Sequence, residues 1–291
     1  MPFNSNVPRR GSVLVEFALI ALILFLLLGF TFDMGRALYS AQILQQAADL
    51  MARELSHTPL PASSTFQDAL KDPQVQNNIY NKDDLAIDIT PWMNSPGNQT
   101  LLEFLDNNLT PPLPPGNKIL VPLMTPLNHS QNPIIPEGKT LLVYPGALIP
   151  SRTAKSGFTV QIPILHYSPG SEEIIDWVDV VEPIQPDMFS IMPPPSISPQ
   201  SPPPPRGMVG LRINYPFQGA MLTDSWKDPN NPTNPSPMIQ APADEQLQPG
   251  QQGGPYSGPT GLGQQAAYGT TVRPFRKVLS AQAIYRREIF Q

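Results

Sequence analysis

The chain has 291 residues, of which 39 are Pro and 19 Gly while only 14% are charged. Pro stands at more than twice its usual share of about 5% and cannot donate to a helix or sheet ladder, which excludes a mostly helical protein and any large, regular parallel sheet. Lys and Arg total 18 against 23 Asp and Glu, so the net charge of −5 leaves no basis for wrapping a nucleic acid, and the absence of Cys removes disulfides, thiolate metal sites and cysteine nucleophiles together.

Residues 1–11 read as a short polar leader ending in Arg9, Arg10 and Gly11. From Ser12 to Phe32 the chain is apolar apart from Glu16, and Phe17 to Phe32 are 16 consecutive uncharged residues. At about 1.5 Å per residue this stretch spans the roughly 30 Å hydrocarbon core of a bilayer. Arg9 and Arg10, set against Asp33 and Arg36 on the far flank, orient the N-terminus toward the cytoplasm and the bulk of the chain outside. The competing reading is a cleaved secretory signal. The stretch is longer than the usual signal core, contains Glu16 and lacks an A-x-A cleavage pattern, all of which count against it. A membrane segment in a chain without Cys points to the bacterial envelope.

Helical periodicity continues beyond the membrane. Ala37, Ala41, Leu44, Ala48, Met51 and Leu55 fall at steps of 4, 3, 4, 3 and 4, while Gln42, Gln45, Gln46, Asp49, Arg53 and Glu54 occupy the other faces. The spacing predicts one helix over 12–57, its lower half in lipid and its upper half offering a packing stripe, ended by Pro59 and Pro61. Glu16 stands out within it, because a carboxylate costs roughly 2.5–3.5 kcal/mol at the centre of a bilayer. Either it lies shallow enough to snorkel or it has a partner.

The run Gly11-Ser12-Val13-Leu14-Val15-Glu16-Phe17 resembles the processing site of prepilins in tight-adherence (Flp-type) pilus systems, where cleavage follows the Gly and a Glu stands at the fifth mature position, before an aromatic. The longer segment resembles the N-terminus of TadE-like pseudopilins: Arg10 through Leu19, then Gly29, Asp33-Met34-Gly35-Arg36, Ala47-Ala48 and Ala52-Arg53. Val209 to Phe217 is similar to the strand which that family sets before a short helix, and Ala283 to Glu288 to its closing strand. The resemblance implies a processing site at Gly11, Ser12, Glu16 and Phe17, a prepilin-type peptidase as partner, and other pilins or pseudopilins and the pilus assembly machinery as neighbours. It also implies pairing of a Ser12 amine with the Glu16 carboxylate of an adjacent subunit.

Residues 58–291 read as an interrupted β-rich domain. Short strands are expected at Leu85 to Ile89 and Thr140 to Tyr144, with a helix from Leu101 to Leu109. Phe158, Val160, Ile162 and Ile164 alternate and, after Ser168-Pro169-Gly170-Ser171, Ile174 to Val181 returns as a hairpin whose first strand is an edge or bulged because of Pro163. The last strands are Val209 to Tyr215 and Lys277 to Ile289. Residues 183–205, with 10 prolines in 23 residues, and 228–263, rich in Pro, Asn, Gln and Gly, are expected to lack regular structure.

Catalytic chemistry finds little foothold. His57, His129 and His166 are far apart and no H-E-x-x-H, G-x-S-x-G or phosphate-binding Gly-rich loop occurs. Asp83-Asp84 and Glu172-Glu173 are adjacent acids of the kind usually just solvated, and the sequons at Asn98, Asn108 and Asn128 matter only in a eukaryotic secretory route. The expectation is an α+β protein without cofactor, metal or catalytic residues: a long transmembrane and amphipathic helix, then a small antiparallel β-sheet domain with long Pro-rich loops. It is anchored once in the bacterial inner membrane and, by resemblance, assists assembly of a tight-adherence pilus through helix packing. The alternative is a signal-anchored periplasmic binding protein that recognises a partner through its Pro-rich loops.

Overall fold

The computed structural model describes residues 10–71, 86–95, 97–108, 120–130, 135–150, 158–166, 174–185, 188–191, 206–219, 239–240, 271–272, 274–275 and 277–288. The leader up to Arg9, the acidic pairs Asp83-Asp84 and Glu172-Glu173, the turn at 168–171 and residues 192–205, 228–238 and 241–263 lie outside them.

Helix α1 runs unbroken over Arg10–His57, 48 residues or about 72 Å. No Pro stands between Pro8 and Pro59 to remove a hydrogen bond. Its end is well closed. Ser56 Oγ donates to the Arg53 carbonyl, Thr58 Oγ1 to that of Glu54 and Thr58 N–H to that of Leu55, while the Ser56 carbonyl accepts from the Glu288 N–H at 2.9 Å. A short helix Phe66–Lys71 follows, opened by a reciprocal cap between Thr65 and Asp68.

The strands come next: β1 (Ala86–Asp88), β2 (Thr125–Asn128), β3 (Thr140–Val143), β4 (Ala147–Pro150), β5 (Phe158–His166), β6 (Ile174–Asp179), β7 (Val181–Pro183), β8 (Met208–Phe217), β9 (Ile239–Gln240), β10 (Thr271–Val272) and β11 (Lys277–Arg286). They form antiparallel sheets in the orders β1-β3-β2, β4-β5-β6 and β11-β8-β7, together with the pair β9-β10. Short helices at Thr90–Asn94 and Leu101–Asn108 lie between β1 and β2. The fold class is α+β, a long apolar helix followed by small antiparallel sheets.

Only Val180 separates β6 from β7, and it ties two sheets together. Its N–H donates to the Val160 carbonyl and its carbonyl accepts from the Asn214 N–H, both at 2.8 Å. The β5–β6 hairpin is present with Gln161 facing Asp179 and His166 facing Ile174. Its first strand is central in its sheet, however, and not an edge. Pro163 is tolerated there because β4 pairs only as far as Gln161. Beyond that point the Pro163 carbonyl accepts from Phe275 N–H at 2.9 Å, a bond needing no donor from Pro.

Two further expectations need correction. The stretch from 183 begins as structure: Pro183 closes β7, Met188 and Phe189 are buried, and Ile191 N–H donates to the Ala62 carbonyl. Within 228–263, Ile239 and Gln240 pair with Val272 and Thr271 as β9.

The core lies where the upper half of α1 meets β8 and β11. Leu44, Ala47, Ala48, Met51, Ala52 and Leu55 are buried, and they join one apolar cluster with Val209, Leu211 and Ile213 of β8 and Ala281 and Ala283 of β11. The strand residues share one face, since Ile213 pairs with Ala281 and Leu211 with Ala283. Three alanines on the helix and two on β11 bring helix and sheet backbones close, and the larger side chains fill the space between. Met51→Ala removes three heavy side-chain atoms from this contact, and we expect a loss of about 2–5 kcal/mol. Thermal unfolding in detergent should show the drop, with Leu50→Ala, on the exposed face, changing stability far less.

Candidate functional site: the membrane helix and its seat

The lower half of α1 is an apolar surface that the other described residues leave uncovered. Leu14, Phe17 and Leu28 are 71%, 70% and 65% exposed. The helix contains a span of mean hydropathy 2.6 that is only 6% buried, long and apolar enough to cross a membrane. A continuous apolar sheath of this size is untenable in water.

The expected processing site lies at the start of this surface. Gly11 and Ser12 belong to the first turn of α1. A peptidase acting after Gly11 would first have to open that turn. Glu16 and Phe17 follow one turn later, both exposed, and the four-residue step from Ser12 to Glu16 is about 6 Å along the axis on the same side of the helix.

The six stripe residues divide into two groups. Leu44, Ala48, Met51 and Leu55 are fully buried in the chain's own domain, whereas Ala37 is half-buried and Ala41 exposed. The greater part of the stripe is thus consumed internally, and the remainder of α1, below Ile43, is largely left bare by the described residues. The periodicity identified the buried face but carried no signal of what would cover it.

The seat is fastened at three heights. At the bottom, β8 packs against α1, and Tyr215 lies against the same core as Ile43; burial pushes its phenol above the ordinary range and the positive charge of Arg36 opposes the shift. Midway, Gln45 Nε2 donates to the Gln282 carbonyl at 3.0 Å. At the top, the bond from Glu288 N–H to the Ser56 carbonyl is joined by His57 Nδ1 at 3.0 Å from Glu288 Oε2. Strand β11 therefore runs alongside α1 in the same direction.

Arg287, just past β11, is the residue that sequence reasoning missed. It is 3% exposed. Its Nη2 donates to the carbonyls of Leu60 and Pro61, its Nη1 to that of Phe189, and the guanidinium stacks 4.6 Å from the centre of the Phe189 ring. Phe189 in turn meets Phe66 edge to face. One side chain thus ties the exit of α1 and the 188–191 segment to the end of the closing strand. A signal existed: Arg287 shares parity with the inward-facing Ala281 and Ala283, so alternation alone assigns a charge to the buried side.

Asn214 plays the matching part on the opposite face. Its Nδ2 donates to the Asp179 carbonyl at 2.8 Å and to Glu182 Oε1 at 3.1 Å, and its Oδ1 accepts from Ser280 Oγ at 2.7 Å. Arg212 completes the cluster with Glu182 at 3.1 Å. These bonds lie at the seam between the two sheets and brace the strand on which α1 rests.

Elsewhere, Trp92, Met93, Leu101, Leu102, Val121 and Pro122 line an open apolar groove of about 370 Å³ with no titratable side chain in its wall. His57 faces Glu288, and His129 Nδ1 lies 2.6 Å from the Ile135 carbonyl. Among the described residues no three His, Asp or Glu come together as a metal site.

Replacing Arg287 by Met keeps the bulk but strands three carbonyl acceptors. We expect a loss of about 2–3 kcal/mol, read by thermal unfolding, and faster proteolysis around Leu60. Arg287→Lys should recover only part of it, because one ammonium cannot bridge acceptors spread across a planar fork.

Comparison with known proteins bears on the helix. Residues 11–53 match the family described as TadE-like protein. No curated protein and no solved structure matches the chain. The matched segment begins at the expected processing site and runs through the membrane-length apolar stretch into the buried stripe. Over residues 11–53, which supply the membrane-length apolar stretch and most of the buried stripe, the chain is similar to the TadE-like family, and the match fits a membrane-anchored, pilus-associated protein.

Proposed function

We propose that the protein is a pseudopilin-like component that assists assembly of a tight-adherence pilus. On this reading it crosses the inner membrane once, with its N-terminus in the cytoplasm and residues 58–291 outside. A prepilin-type peptidase removes the leader after Gly11, and the exposed lower half of α1 packs against the helices of other pilins or pseudopilins. The assembly machinery is the further partner.

One observation carries the proposal: a single uninterrupted helix is bare and apolar below and locked into the domain core above. A force applied to the lower half reaches the outer domain without a hinge, as lifting or twisting of a subunit during assembly requires. Since Leu44 to Leu55 are occupied by the chain's own sheet, contacts between subunits fall to the surface from Leu14 to Ala41.

Glu16 is the register element in this scheme. Cleavage after Gly11 creates an α-amino group at Ser12 in the same shallow layer as the carboxylate. Subunits offset along an axis can then pair the amine of one with Glu16 of the next. Such a pair loses hydration energy in a low-dielectric layer, so its use is alignment rather than net stability.

Two measurements test the reading. Mass spectrometry of the N-terminal peptide from native membranes should find Ser12 at the start; an intact leader in a host that carries the peptidase favours the signal-anchored binding protein instead. The variant Glu16→Val should partition into membranes at least as well as the native chain, yet lose co-purification with pilus components. Normal incorporation would show that Glu16 only snorkels.

A further inference from the structure

The heights at which the sheet is fastened to α1 also fix where the outer domain stands relative to the bilayer. The apolar run ends at Phe32, and Arg36 is four residues further on, about 6 Å along the helix. The headgroup layer on each side of the hydrocarbon core is about as deep, roughly 5–7 Å. The positive charge of Arg36 is felt at the Tyr215 phenol, near the end of β8. Strand register fixes the height geometrically. Gln282 is held to Gln45; five residues back along the strand, about 16 Å, lead to Lys277, and nine residues back along the helix, about 13–14 Å, lead to Arg36. Lys277 also pairs with Phe217, the last residue of β8.

No bare length of helix therefore separates the span from the domain. We propose that the lower rim of the outer domain, formed by Tyr215 to Phe217, Lys277, Arg36 and Tyr39, sits in the headgroup layer and binds the phospholipid surface of the bilayer that α1 crosses. The inference rests on the membrane-anchored reading and adds a second contact to it.

The chemistry of the rim suits that partner. Tyr39 and Leu38 are 65% and 55% exposed just above the span, and Phe217 is half-buried at the strand end. Aromatic side chains with one polar and one apolar side favour this layer. Lys277 and Arg36 are both exposed cations at phosphate height. Asp33, one turn below Arg36, is partly buried and already engaged within the protein. With a helix on one side and a sheet rim on the other, the domain has two points of contact with the membrane plane, which limits the tilt of α1.

The chain contains no Cys, so single spin labels can be introduced cleanly. Full-length protein with Lys277→Cys, Gln218→Cys, Arg286→Cys or Phe25→Cys is labelled and reconstituted into phosphatidylethanolamine–phosphatidylglycerol vesicles doped with a nickel-chelating lipid. The Phe25 label should be relaxed by oxygen and shielded from aqueous nickel chelate. Labels at 277 and 218 should be relaxed by the nickel headgroups several-fold more than the label at 286, about 30 Å further up β11. Equal responses at 277, 218 and 286, with the Phe25 label in hydrocarbon, would overturn the rim contact and leave the anchor intact. A Phe25 label open to the aqueous chelate would overturn the anchor and the rim contact together.

Discussion

Everything in this molecule depends on the contact between the upper half of α1 and the β8–β11 ribbon. The helix must satisfy two solvents, lipid below and a folded domain above, and it does so without a break in its hydrogen bonds. The change of solvent is written in its side chains. Up to Phe32 large apolar residues point outward all round apart from Glu16; above Ile43 the apolar groups narrow to one stripe, and alanines let the sheet approach. Because helix and sheet backbones meet closely there, the domain is built onto the helix rather than hung from it.

The rest of the fold reads as support for that contact. Arg287 closes the top by binding the carbonyls that follow α1, while Asn214 and Glu182 brace β8 from the other face. The high Pro content explains why the sheets remain small. Strands end at or near Pro150, Pro183 and Pro216, and Pro126 lies in β2, an outer strand of its sheet. Among the described residues only β8 and β11, free of Pro except at Pro216, reach 10 residues, and they are the pair that carries the helix. A domain whose longest ribbon is fixed to a membrane helix is suited to move with that helix as one body.

Much of this was legible in the sequence wherever a period repeats long enough to be read. The helix, the β5–β6 hairpin and the β8 and β11 strands announce themselves by steps of three and four or by strict alternation. Strands β2, β4, β9 and β10 have two to four residues each and no room for a pattern. Pro163 misled because the rule that Pro belongs at an edge is local: β5 is central as a strand, yet its β4 neighbour has ended before Pro163 is reached. The stripe from Ala37 to Leu55 was readable as a packing face, but the identity of its cover is a property of long-range pairing. Arg287 illustrates the same limit from the other side: alternation points it inward, while its acceptors lie 227, 226 and 98 positions earlier in the chain.

The central claim is that α1 and the ribbon form one cooperative unit. Native-state hydrogen exchange on the full-length protein in nanodiscs, followed through low denaturant, tests it most directly. The account predicts that the amides of Leu44 to Leu55, of β8 and of β11 converge on one opening free energy with one denaturant slope. If the helix amides exchanged through a separate, lower-energy opening while both strands stayed protected, the helix would be merely resting on the domain, and the account would be contradicted.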